Sequence, residues 1–273
     1  MNNSKAFTLI ELSMVLIIIA MLIAAVMKSS SIIAQAKAKG VLMEISKLRS
    51  YVEEFKVAYN LALPGDMSNA YKYFSDCGID SAAPTGCNGN GNGNIGFSSY
   101  DSGYVESYRF WQHLERAGLL DQSLSGTINI TSPYADETNS YNSKAISGAI
   151  YFPAFAYLMT DGQFYSNNLR NSNLFVLARP SAEIDIASNK VMSPMIAYNI
   201  DLKIDDGKPR AGRIKAYNYY HDVNGYHGTT AGNISGTECD SLGDTNEHSD
   251  TVLLAAYYEI SLSSEECILL IDF

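Results

Sequence analysis

The chain has 273 residues and a formal net charge of −10, and that charge is unevenly distributed. Residues 1–60 carry seven basic and four acidic side chains, whereas residues 61–273 carry 12 basic and 25 acidic ones. An acidic domain of this kind repels nucleic acid backbones, so the composition excludes a typical nucleic-acid-binding surface and favours solubility outside the cell.

Residues 7–27 form a continuous apolar run. It contains no Lys, Arg, Gly or Pro, and about 20 residues suffice for a helix to cross a membrane. Lys5 precedes the run and Lys28 follows it, so the basic residues do not set the orientation of the helix. Glu11 interrupts the run, and a charge at the centre of a membrane helix costs about 2.5–3.5 kcal/mol, so this residue requires a function.

The residues at the start of the run carry a resemblance. Lys5 and Ala6 precede the sequence Phe7-Thr8-Leu9-Ile10-Glu11-Leu12, which resembles the cleavage and methylation segment of type IV pilins and type II secretion pseudopilins. The resemblance implies that a prepilin peptidase cuts between Ala6 and Phe7, methylates the new amine of Phe7 and leaves the apolar helix in place. It also implies a bacterial inner-membrane protein with its N-terminus inside and its head outside the cytoplasm.

In that family the carboxylate at the position of Glu11 pairs with the N-terminal amine of a neighbouring subunit. A buried carboxylate is tolerated beside such a cation. The resemblance therefore implies that Glu11 sets the axial register of subunits in a filament. The chain departs from the family at Ala6, where Gly is usual, and we expect slower cleavage. It also has Lys28 where many members have Pro, so no kink is expected in the membrane helix.

Two other interpretations of this segment are possible. A secretory signal peptide would be removed, and Ala34-Gln35-Ala36 offers a cleavage site with small residues. An ordinary membrane anchor would retain the segment but gives Glu11 no role. We favour the pilin-like interpretation because the apolar run is long and because it explains Glu11.

The helix is predicted to continue beyond the membrane. Apolar residues spaced three or four apart form one face, at Val41, Ile45, Leu48, Val52, Phe55 and Tyr59. A coiled-coil seam of fewer than three heptads would be short, so we expect this face to pack on the chain's own head. Pro64-Gly65 ends the pattern. The sequence thus predicts one helix over residues 7–60, with a membrane part at 7–27 and an amphipathic part at 28–60.

Residues 61–273 are predicted to form one globular head after a leader at residues 1–6. Glu106–Leu120 is predicted to be an amphipathic helix whose buried face contains Tyr108, Trp111, Leu114 and Ala117. Five short apolar or β-branched segments are predicted strands, at 149–152, 174–178, 212–217, 253–260 and 267–273. Together with the resemblance, these elements predict an α+β, pilin-like fold in which the long helix packs on a head with an antiparallel sheet.

The head contains four cysteines, Cys77, Cys87, Cys239 and Cys267. An even number in an exported chain favours disulfides, and the local pairs 77–87 and 239–267 are one of three possible connectivities. Zinc binding is the alternative, but the chain has no C-x-x-C motif.

Two segments are candidate cation sites. Asp201, Asp205 and Asp206 precede Gly207 and form an acidic cluster that is a candidate calcium site, with an ordinary turn after a helix ending at Ile204 as the alternative. The Asn/Gly-rich segment 88–95 has the spacing of a calcium loop but lacks carboxylates, and a flexible turn is its alternative interpretation.

No enzyme is expected, because the chain has no G-x-S-x-G or phosphate-loop motif and its four histidines match no metal signature. The large head favours a type II secretion pseudopilin, assembled with other pilin-like subunits on an inner-membrane platform. The alternatives are a major or minor type IV pilus subunit in adhesion or motility, and a membrane-anchored or secreted binding protein with no role in a filament.

Overall fold

The computed structural model describes residues 8–78, 86–96, 106–124, 126, 135–155, 172–180, 189–217, 239–241 and 256–273. Within these ranges the chain has three α-helices, five strands and a short 3-10 turn at Ala70–Lys72. The helices are α1 (Leu9–Ala58), α2 (Glu106–Arg116) and α3 (Pro194–Ile204). The strands are β1 (Tyr141–Asn142), β2 (Ile150–Phe155), β3 (Asn173–Ala178), β4 (Ile214–Tyr217) and β5 (Ile268–Asp272). The predicted α+β class is confirmed.

Helix α1 runs unbroken for 50 residues, a length of about 75 Å. This confirms the predicted continuous helix within the described residues, which begin after Phe7. The helix ends in a tight turn, in which the Leu61 N–H donates to the Lys56 carbonyl at 2.7 Å. Asn60 and Leu61 adopt positive φ angles of 56° and 66°, a conformation that closes helices but is usually taken by Gly.

The second half of α1 packs on the head through the predicted apolar face. Val41, Ile45, Leu48, Val52 and Phe55 are buried and Tyr59 is half-buried, so this prediction is confirmed. The buried face also begins earlier than predicted, at Ala34 and Ala38. Small residues there allow the head to approach the helix closely. We call the residues from Ala34 to Phe55 on this side the docked face.

The five strands form one antiparallel sheet in the order β1-β2-β3-β5-β4. One side of the sheet contributes Tyr151, Phe175, Leu177, Leu269 and Ile271 to the core shared with α1. The opposite side is buried as well, including Phe152, Val176 and Leu270. Alternate residues of each strand point to opposite faces, so β2, β3 and β5 present apolar side chains to both sides of the sheet.

Four of the five predicted strands are confirmed, at 149–152, 174–178, 212–217 and 267–273, with small shifts of their ends. The prediction of a strand at 253–260 is wrong in its described part, 256–260, where only an isolated bridge joins Tyr258 to Asp240. Residues 253–255 lie outside the described residues. The apolar composition of this segment reflects burial of Ala256 and Tyr258 rather than a regular strand.

Helix α2 is more buried than an amphipathic pattern predicts, because every residue from Glu106 to Leu114 is buried. Trp111 is stacked on Tyr141 and Phe175 with ring centroids 5.6 and 5.8 Å apart, so its predicted role in the core is confirmed. The helix ends at Arg116 instead of Leu120, because Gly118 has a φ of 73° and the Leu119 N–H caps the Leu114 carbonyl at 3.0 Å.

A buried polar contact fixes the position of the head on α1. The Glu44 carboxylate accepts hydrogen bonds from the Ser143 hydroxyl (2.7 Å), the backbone N–H groups of Lys144 (2.6 Å) and Ala145 (3.0 Å), and the Tyr151 hydroxyl (3.0 Å). Beside it, a Cβ added at Gly40 would lie 2.7 Å from the Ala145 Cβ. The loop thus approaches so closely that only Gly fits at this point of the helix.

We expect Glu44→Ala to lower the free energy of unfolding by about 3 kcal/mol, because the donors around the lost carboxylate stay buried without an acceptor. The measurement is urea unfolding of the full chain in detergent. Glu54→Ala is the matched control, since Glu54 is exposed on the same helix, and we expect a change below about 0.5 kcal/mol. Equal effects of the two substitutions would contradict the proposed anchoring role of Glu44.

Candidate assembly site

The first turn of α1 holds Glu11 in a defined position. Thr8 is the N-cap, and its hydroxyl oxygen accepts the Glu11 N–H at 3.3 Å. In return, Oε2 of Glu11 accepts the Thr8 N–H and the Thr8 hydroxyl, each at 2.8 Å. This reciprocal arrangement is a capping box. Its signature, Thr followed three residues later by Glu, is present in the sequence, and our sequence analysis missed it.

The capping box leaves part of the carboxylate available. Both hydrogen bonds reach Oε2, and in the described part of the chain no hydrogen bond reaches Oε1. Since Glu11 itself is exposed, Oε1 can accept a hydrogen bond from a cationic group of another molecule. The arrangement presents one carboxylate oxygen at a fixed height on the helix.

The surroundings of Glu11 are apolar and uncovered. Glu11 is the sole charged residue between Thr8 and Met27, and the large apolar side chains from Leu9 to Ile23 are exposed. Among the described residues, α1 is the one helix long and apolar enough to cross a membrane. Its first half therefore offers an apolar surface on all sides to lipid or to other helices.

The predicted cleavage and methylation site, Ala6–Phe7, lies outside the described residues. It stays a prediction from the sequence. The described helix begins two residues after Phe7, and the Thr8–Glu11 capping box involves no residue before Thr8, so a cut at this site would leave it intact.

Comparison with known families bears directly on this segment. Residues 1–27 match the family described as the prokaryotic N-terminal methylation motif, which is the prepilin-cleavage signature of type IV pilins and pseudopilins. The chain carries the N-terminal signature of the type IV pilin and pseudopilin family. This pilin-like signature implies processing by prepilin peptidase, assembly with other pilin subunits and anchoring in the inner membrane.

No curated protein and no solved structure matches the chain. The signature covers residues 1–27, so the role of the pilin-like head has to be argued from its own residues.

The cysteines of the head are joined in two local disulfides, Cys77 to Cys87 and Cys239 to Cys267. Buried His113 links the first disulfide to the turn that follows α1. Its Nδ1 accepts the Gly65 N–H at 2.9 Å, and its Nε2 lies 2.6 Å from the Cys87 carbonyl oxygen. Burial lowers the pKa of His113 to about 4, so the ring is neutral at pH 7 and its Nε2–H donates to that carbonyl.

The Asn/Gly-rich segment 88–95 is a tight turn that surrounds carboxylates with backbone N–H groups. Asp66 accepts the N–H groups of Gly91 (2.7 Å), Asn92 (3.0 Å) and Gly93 (2.7 Å). Glu106 accepts those of Asn90 (2.8 Å) and Gly96 (2.7 Å). The Asn side chains that matched the calcium spacing accept backbone N–H groups: Asn90 and Asn92 form Asx turns, and Asn88 accepts the Tyr71 N–H. The segment's backbone donors therefore bind carboxyl groups, the opposite of what a cation loop requires.

The acidic cluster at the end of α3 has the geometry of a cation site. One carboxylate oxygen from each of Asp201, Asp205 and Asp206 lies within 4.8 Å of the others. Asp201 accepts the Tyr258 hydroxyl at 2.8 Å and the Gly207 N–H at 3.1 Å, and Asp205 accepts the Ile214 N–H at 3.0 Å. These bonds also fit the ordinary turn after a helix ending at Ile204. Calcium binding here stays a prediction.

Electrostatics around the cluster favour a bound cation or a bound proton. Burial, together with the charges of Asp206 and Asp205, raises the pKa of Asp201 to about 7. Lys215 is fully buried on β4, and this burial lowers its pKa to about 8. The nearby charges of Asp205 and Asp206 oppose that shift. Part of the negative charge of the cluster is thus balanced within the chain.

The histidines His221, His227 and His248 lie outside the described residues.

We expect millimolar calcium to raise the melting temperature of the full chain by at least about 3 °C at pH 8 and by less at pH 5. The folded state retains a proton on Asp201 that the unfolded state loses above about pH 4, so the free energy of unfolding falls as pH rises towards 7. Calcium would replace that proton at pH 8, whereas at pH 5 it competes with it.

Asp206→Asn should abolish the calcium effect while keeping the side-chain oxygen that accepts the Lys208 N–H at 2.9 Å. Asp121→Asn, an exposed site elsewhere in the head, is the matched control and should leave the effect unchanged. A melting temperature that does not respond to calcium at pH 8 would show that the cluster is an ordinary turn.

Proposed function

We propose that the protein is a structural subunit of a type IV filament, and specifically a pseudopilin of a type II secretion system. Prepilin peptidase cuts the chain between Ala6 and Phe7 and methylates Phe7, and an inner-membrane platform builds the mature chain into the filament. The observation that carries the proposal is the part of α1 up to Met27, which joins the methylation motif to an uncovered apolar helix with Glu11 as its single charge.

Assembly exchanges the lipid around α1 for the helices of neighbouring subunits. Both surroundings are apolar, so this exchange changes the buried apolar surface of the helix very little. A directional contact is therefore needed to fix the axial position of each helix against its neighbours. Glu11 supplies that contact, because Oε1 is available to the N-terminal amine of Phe7 in a neighbouring subunit. An ion pair in apolar surroundings is stable when both charges are satisfied, and the Thr8 hydrogen bonds already satisfy Oε2.

The head supports a subunit that works outside the cytoplasm. Two disulfides close its loops, and disulfides persist in oxidising compartments such as the periplasm. The head extends over 213 of the 273 residues and is strongly acidic, which favours a large-headed pseudopilin over a major pilus subunit. The described residues contribute a stable scaffold and a docking surface for α1, so the proposed activity is mechanical rather than catalytic.

We expect Glu11→Ala to leave cleavage and membrane insertion intact and to abolish incorporation of the chain into filaments. The substitution removes the carboxylate that would receive the neighbouring amine, while the apolar run becomes more hydrophobic. The measurement combines the mass of the mature N-terminal peptide with the amount of chain in the sheared filament fraction. Ser13→Ala, which removes a hydroxyl bonded to the Ile10 carbonyl at 2.9 Å, is the matched control and should assemble normally.

Filaments that contain Glu11→Ala chains in normal amounts would remove the register role of Glu11. The finer assignment has its own test in a strain that lacks the chain. A type II pseudopilin predicts that secreted enzymes accumulate in the periplasm while surface pili persist. Loss of surface pili with normal secretion would instead identify a pilus subunit.

A further inference from the structure

The second half of α1 has an exposed side that the head does not use. Five residues spaced three or four apart lie on one side of the helix, opposite the docked face: Met43, Lys47, Ser50, Glu54 and Val57. All five are exposed. Met43 and Val57 keep 61% and 82% of their surface accessible, so the ridge has an apolar residue at each end. We call these five residues the outer ridge.

The position of the outer ridge indicates what it faces in a filament. The head covers one side of α1, and the membrane half of the same unbroken helix is uncovered on all sides. When such helices pack side by side, the heads must lie outside the bundle. The side of α1 opposite the head therefore faces the α1 helices of the other subunits. This step rests on the proposed function, since it assumes assembly through α1.

The charges on the outer ridge are segregated along the helix. Lys47 is the basic residue of the ridge and Glu54 the acidic one, seven residues further on. The Lys47 ammonium lies over the Tyr51 ring at 5.3 Å from its centroid and stays at the surface. Within the described residues Glu54 forms no ion pair, whereas neighbouring Glu53 is bonded to Lys56 at 2.8 Å. Since Lys47 also forms no ion pair within the described residues, one charge of each sign is available to another copy.

Parallel copies in register would place like charges together, Lys47 beside Lys47 and Glu54 beside Glu54, and such contacts are strongly unfavourable. An axial shift of seven residues, about 10 Å, instead places Lys47 of one copy level with Glu54 of the next. The Glu11 contact requires a shift in the same direction, since it brings Phe7 of one copy level with residue 11 of the next, four residues or about 6 Å away. The two shifts differ by about 4.5 Å, which a flexible lysine side chain spans.

We propose that the outer ridge of α1 is an interface with the α1 helix of a second copy of this chain, in which Lys47 pairs with Glu54 of the axially shifted neighbour. Met43 and Val57 provide the apolar contacts at the two ends of the ridge, and the Lys47–Glu54 pair lies between them. The pair rejects the in-register arrangement and supports the same direction of shift as Glu11, which lies at the other end of the helix.

A charge-reversal series tests the proposal in cells that carry the assembly system and express the full chain. Lys47→Glu and Glu54→Lys should each reduce the chain in the sheared filament fraction by about tenfold, because each repeats a like-charge contact at every subunit. The double variant K47E/E54K restores opposite charges and should recover assembly, which a folding defect would not. Lys203→Glu, an exposed site on α3, is the matched control and should assemble normally.

A second measurement reports the shift itself. Within one helix the Cα atoms of residues 47 and 54 are about 10 Å apart, too far for a disulfide. Co-expressed Lys47→Cys and Glu54→Cys chains should therefore form a mixed disulfide dimer, and Lys47→Cys expressed alone should not dimerise. Dimers of Lys47→Cys alone, or normal filaments from both single reversals, would overturn the proposal. Failure of the unmodified chain to enter any filament would instead overturn the proposed function.

Discussion

The structure depends on one constraint, which is that α1 must be stable in two different surroundings without a break. Its first half contains no Gly or Pro and is apolar on every side, as a membrane requires, and its second half carries one buried face. Because the same rigid helix continues from one half to the other, the head cannot turn independently of the membrane segment. Position and orientation of the head therefore follow from the contacts along the docked face.

Those contacts are of two kinds, and they are complementary. Apolar residues from Ala34 to Phe55 supply most of the buried area, and this kind of contact allows sliding or rotation of similar surfaces. Glu44 and Gly40 remove that freedom, because four donors converge on the carboxylate and the Ala145 Cβ fits only over a Gly. The head is thus fixed at one height on α1, which a filament requires if every subunit is to present the same surfaces.

The sequence predicted the parts of the fold that local patterns determine. The spacing of apolar residues identified the docked face, and short apolar segments identified four strands. The role of Glu44 could not be predicted, because its partners lie about 100 residues away along the chain and three of its four hydrogen bonds come from one loop, residues 143–145. The segment 253–260 was misinterpreted for a related reason, since apolar composition indicates burial and does not by itself indicate a strand.

The candidate sites also differ in whether local sequence or distant contacts determine them. The Thr8–Glu11 capping box is local, and its signature of Thr followed three residues later by Glu is visible in the sequence. The Asn/Gly turn was compared with a calcium loop on the basis of side-chain oxygens, whereas its backbone N–H groups determine what it binds. The outer ridge was also hidden, because a search for apolar periodicity finds the docked face first. Only the structure shows that Met43 and Val57 remain exposed on the other side.

The central claim is that the apolar helix is retained on the mature chain and serves for assembly. It is tested most directly by the mass of the N-terminal peptide of the protein purified from membranes. The account predicts a chain that begins at Phe7 and carries one added methyl group on its amine, which leaves Glu11 as the fifth residue. A mature chain that begins after Ala36, or one that still begins at Met1, would contradict the account, because neither would present a Phe7 amine to a neighbouring Glu11.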